Sequence, residues 1–409
     1  MKRGRSPILR IAACCAAFAL VVAMSACSSD DNGSSGSSDT TPATSAGEIS
    51  LTPDSFTADF SAMAQLKPLV DQGEGMIAVL LPDTTTSARY ESYDRPYLEQ
   101  AFKAAGLSAD QFKVDNAQGS AQTMQTQADA AITNGASVLL VDAIDSGSGA
   151  AIEANAASKG VAVIDYDRLT LGGPEGRHYV SFDNVNVGKL IGEGEASCIE
   201  DWKVQKPNIL IMNGDPTDNN AKLFAQGYHE VLDPKFDSGE YVKVAEPAGT
   251  WTPSVAATTF DQQLTAHPNI NAVVTPNDDN ANAVIADLQR AKTPPETVPT
   301  TGQDASLTGL QNILKGYQCG TVYKPITAEA QAAAAIAIYL RAGEDVPSSL
   351  LNGTTEDTEA NADVQSLLLT PKWVTTENMN DTIIKDKWVK VSDLCVAAVK
   401  QACTAAGIQ

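Results

Sequence analysis

Histidine is scarce in this chain: the three present, His178, His229 and His267, are scattered without metal-ligand spacing and read as structural or surface residues. The Asp-rich stretches near 30–31 and 356–363 lack the spacing of a calcium loop, so neither a metal nor a cofactor is expected. There is no G-x-S-x-G elbow and no Cys/His nucleophile pattern, which removes two common routes to covalent hydrolysis. A glycine-rich phosphate cradle is also missing, which argues against a phosphorylated ligand. Positive charge is in short supply, 28 Lys and Arg against 50 Asp and Glu for a formal charge of −22, and this excludes nucleic acid as a partner. The apolar run at the N-terminus, Ile11 to Ala23, is too short for a comfortable membrane span.

That run does fit a secretory signal over residues 1–26, because Lys2, Arg3, Arg5 and Arg10 give it a basic start and small residues lead into Cys27. Met24-Ser25-Ala26-Cys27 resembles the lipobox of bacterial lipoproteins, with Met where that box usually has Leu. The resemblance implies a lipid on Cys27 that anchors the exported chain to the outer face of the cytoplasmic membrane. The Ser/Gly/Asp/Thr-rich tract that follows has nothing to bury, and residues 27–72 are expected to be a flexible tether. Without the basic residues of the signal the net charge is about −26.

Of seven cysteines, Cys14 and Cys15 fall in the signal, and Cys198, Cys319, Cys395 and Cys403 remain in an oxidising compartment. Three pairings are open. The favoured one joins Cys395 to Cys403 and Cys198 to Cys319, with four reduced, buried thiols as the alternative. A continuous helix from 395 to 403 would separate its ends by about 12 Å, too far for a bridge, so a local bridge requires a turn there.

From about Gly75 the sequence alternates short apolar runs with amphipathic ones. MIAVLL, QFKVDN, ASVLLVD, VAVIDY, HYVSFD, NILIMN, YVKVAE, NAVVTP, TVPTTG and GTVYKP read as strands. Helix-like segments fall between them, near 91–105, 120–133, 148–159, 186–201, 219–232, 254–266, 279–291, 306–315 and 327–342. Thr252-Pro253 fits a capped helix start, as do Thr327 and Glu329, with Arg341 and Gly343 closing the same helix. Alternation of this kind predicts an α/β fold with parallel sheets flanked by helices. Ten strands exceed one comfortable sheet, so two similar lobes are expected, joined by a three-segment hinge. The first spans 73–183 plus 325–365 and the second 184–324 plus 366–409. Residues 348–365 read as a polar loop.

Charged and amide residues sit just after several of these runs: Asp167-Arg168, Asp218-Asn219-Asn220, Asn277-Asp278, Asp304 and Lys324. In an open parallel sheet such positions share the carboxyl edge, where small ligands bind. Each has a plainer reading alone: a helix cap for Asp218, a turn with a surface ion pair for Asp167-Arg168, a solvated loop for Lys324, a helix-start staple for Trp251. Taken together with SARY at 87–90, IDYDRL at 164–169, YVSFDNVNVGKL at 179–190, DPTDNNAKLF at 215–224, VVTPND at 273–278, TGQDASLTGL at 301–310, TVYKPIT at 321–327 and LLTPKWV at 368–374, the chain resembles the periplasmic sugar-binding proteins of ABC importers, type I fold, above all their D-xylose-binding and multiple-sugar-binding branches. The resemblance implies a non-enzymatic, monomeric solute-binding protein that captures a monosaccharide, D-xylose or a related aldose, and delivers it to an ABC permease. It implies ligand contacts by Arg89, Tyr90, Asp167, Arg168, Asp218, Asn220, Trp251, Asn277, Asp304 and Lys324. Tyr90 stands where the xylose-binding branch usually carries tryptophan.

These residue types suit a sugar. Hydroxyls both donate and accept, so a dry site needs Asp, Asn and Arg in fixed planes, and the apolar C–H faces suit Tyr90 and Trp251, one from each lobe. Three cations facing Asp167, Asp218 and Asp304 suit a neutral ligand. Other readings consistent with the residues are a sensor that presents the sugar to a chemoreceptor or kinase, and a hydrolase using Asp218 and Asp304. Carboxylates paired with Arg or Lys are expected to have depressed pKa values, which disfavours the hydrolase.

Overall fold

The computed structural model describes residues 49–408 except Thr85 and Ala88, so the signal, Cys27 and the start of the expected tether lie outside the described residues. Ordered packing begins earlier than residue 73. Pro53–Ser55 and Ser61–Leu66 form 3-10 turns and helix α1 spans Lys67–Gln72. Leu51, Phe56, Phe60, Met63 and Leu66 are buried in the main core. The tether therefore ends before Leu51; Phe56, Phe60, Met63, Leu66 and Val70 recur at three- and four-residue spacing, a helical signal that the expected tether passed over.

The first lobe follows as β1 (Met76–Leu81), α2 (Arg95–Ala105), β2 (Phe112–Asn116), α3 (Ala121–Thr133), β3 (Ala136–Val141), α4 (Ser146–Ser158), β4 (Ala162–Tyr166) and β5 (His178–Phe182). These five strands are all parallel. The chain then crosses into the second lobe through α5 (Asn184–Asp201), β6 (Asn208–Ile211), α6 (Asn219–Asp237), β7 (Val242–Ala245), α7 (Pro253–Ala266), β8 (Ala272–Val274), α8 (Asp278–Arg290), α9 (Leu307–Leu314) and β9 (Thr321–Tyr323). Here β6, β7 and β8 form a parallel sheet. The expected strand TVPTTG forms only a single bridge, Thr300 to Val273, within a segment that lacks an N–H at Pro299. Helices α5 and α6 meet at Gly188 and Gly227, where a Cβ would strike the other helix's backbone.

At Pro325 the chain returns to the first lobe. Helix α10 (Ile326–Arg341), expected in the first lobe, is apolar nearly all round and packs on β3, β4 and β5. Its N-cap is Pro325 rather than Thr327, and no side chain caps it. The expected loop at 348–365 is instead a hairpin of β10 (Gly353–Asp357) and β11 (Ala362–Leu369). β11 pairs in parallel with β5 through Leu369, completing a sheet of order β10-β11-β5-β4-β3-β1-β2. The third crossing therefore lies at 370–371, not 365–366. β12 (Lys372–Val374) pairs with β9, and α11 (Val391–Leu394) and α12 (Lys400–Ala405) close the second lobe. The turn between α11 and α12 brings Cys395 and Cys403 to 5.9 Å between Cα atoms, and they are bridged; Cys198 is bridged to Cys319.

Candidate functional site

The carboxyl ends of β1 and β4 supply the first wall. Arg89 leads a π-helical turn at Tyr90–Asp94 and is only 3% exposed. Its guanidinium donates to Asp94 at 2.7 and 2.9 Å, to Glu329 at 2.9 Å and to Asp167 at 2.9 Å. Asp167 has φ +61°, a region side chains adopt rarely and mostly under constraint. Its carbonyl accepts from Tyr179 Oη, Ser181 Oγ and Asn220 Nδ2, which hold that backbone in place. Arg168 donates to Ala143 O and to the Tyr90 hydroxyl, at 3.1 and 2.9 Å.

Helix starts build the opposite wall. Asp218 is the N-cap of α6: one oxygen accepts from Asn220 N–H at 2.9 Å, the other from Trp251 Nε1 at 3.0 Å. Asn277 caps α8 by accepting from Asn280 N–H. These residues are helix caps and also line the cavity. Trp251 lies so closely on Gly214 that a Cβ there would overlap its ring. Asp304 has φ +93°, and Lys324 lies between it and Asp167, at 3.4 and 3.6 Å.

The two walls already touch. Arg168 Nε is 3.2 Å from Asp218, and Asn220, engaged by Asn184 and Tyr179, donates across to Asp167 O. All ten residues named from the sequence line one cavity, together with Thr86, Ser87, Phe224 and Gln303; with the lobes in this arrangement its free space is about 30 Å³. Among the described residues the buried acceptors Gln303 Oε1 and Asp304 Oδ1 accept no hydrogen bond, Asp304 Oδ1 being ion-paired with Lys324.

The charge balance is more acidic than three against three. Asp94, Asp142 and Glu329 lie behind the first wall and contact its arginines. Burial raises Asp142 and Glu329 well above the usual carboxyl range despite Arg168 and Arg89, shifting both toward the neutral acid. Burial also works on Asp167, but Arg89, Lys324 and Arg168 outweigh it and hold that carboxyl at about 2. Asp218 departs from the expected depression: burial prevails over Arg168 and raises it. Asp142 directly follows strand β3 and so carried the same sequence signal as Asp167. Glu329 was masked by its helix-start position, which already accounted for an acid there.

Comparison with known proteins bears on this geometry. A periplasmic binding protein domain model matches residues 77–345. The chain belongs to the periplasmic binding protein family. It is 38% identical over 296 residues, 71% of this chain and 85% of the relative, to the D-xylose-binding periplasmic protein of Escherichia coli (strain K12). An ABC transporter solute binding protein from Clostridium phytofermentans with bound β-D-glucose is similar with a TM-score of 0.69 and 28% identity, covering 78% of this chain and 99% of that one. A carbohydrate transporter solute binding protein from Chloroflexus aurantiacus in complex with D-glucose gives 0.67 and 25%, covering 78% and 97%. The two lobes with three crossings are the type I periplasmic-binding fold of this family.

Proposed function

We propose that this periplasmic binding protein is a lipoprotein, anchored through Cys27, that captures a monosaccharide between its lobes and delivers it to an ABC permease. D-xylose or a closely related aldose is the ligand. The observation that carries this reading is a cavity lined from both lobes by Arg, Asn, Asp, Tyr and Trp, with the buried acceptor Gln303 Oε1 left unpartnered and Asp304 Oδ1 held only by the Lys324 ion pair at 3.4 Å. Sugar hydroxyls satisfy such acceptors, and the Tyr90 and Trp251 rings offer faces for the C–H surface of a pyranose.

The cavity's three cations, Arg89, Arg168 and Lys324, are matched by Asp167, Asp218 and Asp304, and with no surplus of positive charge a neutral ligand is favoured over an anion. Binding without turnover is the expected behaviour, supported by the solute-binding relatives rather than by acidity, since burial raises Asp218 instead of depressing it. Asp218, Asp167, Lys324 and Asn220 bond across the cleft. A ligand touching both walls would add to those contacts only when the lobes are together, and its differential affinity would shift the population toward closure.

The test is isothermal titration with D-xylose, D-glucose, D-galactose, L-arabinose and D-ribose. One-to-one binding of one or two, without turnover, supports the receptor reading; no heat and no thermal stabilisation with any of the five overturns it. Replacing Cys27 by Ala is expected to move the protein from the membrane fraction to the soluble one.

A further inference from the structure

The Asp304–Ala305 turn, like Asp167 opposite it, is constrained backbone in the cavity wall. Both residues have positive φ, 93° and 48°, and such backbone persists where the surroundings over-determine it. Four hydrogen bonds do so here. Asp304 N–H donates to Val322 O at 2.9 Å, Ala305 N–H to Thr321 Oγ1 at 3.2 Å, and Ser306 N–H to Asp278 Oδ2 at 2.7 Å. The fourth comes from the C-terminal segment: Trp388 Nε1 donates to the Ala305 carbonyl at 2.8 Å.

Trp388 is buried and does not line the cavity. Its segment is fixed to the second lobe, where Gln311 Nε2 donates to Asp393 O at 3.0 Å. The indole stacks on Tyr93 with centroids 3.8 Å apart and planes 14° from parallel. Tyr93 belongs to the Tyr90–Asp94 turn, which forms the opposite wall. One side chain outside the site thus backs both walls.

We propose that Trp388 is a positioning residue for ligand binding: its indole N–H fixes the Ala305 carbonyl and so aims Asp304 into the cavity, while its ring ties that turn to Tyr93 of the first lobe. This rests on the proposed function. Trp388→Phe keeps a stacking ring and removes the donor, leaving a buried carbonyl short of a partner. Titration of the full chain with D-xylose and D-glucose is expected to show affinity about tenfold weaker. Asp304→Asn, which keeps one acceptor oxygen, supplies the reference for a double-mutant cycle. Adding Trp388→Phe to Asp304→Asn is expected to cost less than about twofold more, whereas adding it to Asn220→Ala should cost the full factor. A general loss of packing would multiply through in both backgrounds.

Wild-type binding with affinity unchanged in Trp388→Phe, or equal cost in both backgrounds, would overturn this inference and leave the proposed function standing. No sugar binding by the wild type would overturn the function, and this inference with it. If Trp388→Phe does not fold, Tyr93→Leu, which frees the indole from its stacking partner, takes its place in the same cycle. Its loss of affinity should vanish in the Asp304→Asn background, and an undiminished loss overturns the inference.

Discussion

The two walls of the cavity are built on opposite plans. The first centres on an ion cluster within its own lobe, Arg89 surrounded by Asp94, Glu329 and Asp167, each at 2.7–2.9 Å, with Arg168 and Asp167 reaching across to Asp218 and Lys324. The second is made of helix caps and one constrained turn, and its cation, Lys324, finds half of its partners across the cleft. One wall is therefore prepared before the lobes meet, and the other is completed by their meeting.

If that contrast holds, damage to the first wall registers as lost stability and damage to the second as lost affinity. Arg89→Met leaves three carboxyl groups buried around a missing cation and is expected to cost about 3–5 kcal/mol, read as a lower denaturant midpoint. Equal stability of this variant and the wild type would erase the distinction. Asp304→Ala should weaken sugar binding at least about 100-fold by titration while the melting temperature stays within a few degrees, since the removed carboxylate lines the proposed sugar cavity. Asn220→Ala removes the donor to Asp167 O and is expected to weaken binding about tenfold, with a larger radius of gyration in solution scattering as the open form gains population.

The smallest effect is on pH dependence. Burial raises Asp278 to about 7 against donors Gln318, Thr321 and Ser306 N–H. The folded state then holds a proton that the unfolded chain releases near 4, so stability contributed by this group is present below about 4 and lost as pH rises through about 7. Asp278→Asn cannot titrate, and its melting temperature should fall less than the wild type's between pH 4 and 7; identical slopes would remove Asp278 from the account.

Much of the site was visible because βα chemistry repeats. A carboxylate or amide that follows an apolar run lies at a sheet edge, and Asp167, Asp218, Asn277, Asp304 and Lys324 all do. What stayed hidden was whatever lacked a period or already had an explanation. Glu329 served as a helix-start acid. The β10 strand, Gly-Thr-Thr-Glu-Asp at a sheet edge with most side chains exposed, has no apolar face to announce it. Trp388 sits between two short helices, and nothing local ties it to Ala305, 83 positions away.

The Cys198–Cys319 bridge has a consequence of another kind. It joins α5, just past the first crossing, to the residue entering β9, just before the second, with 121 positions between. Most of the second lobe is thus a covalent ring hung from the first. Closing a ring of that length removes unfolded-state entropy worth about 5 kcal/mol. A protease that nicks the ring once opens it without detaching either piece, so a clipped molecule outside the cell would keep its mass until it met a reductant.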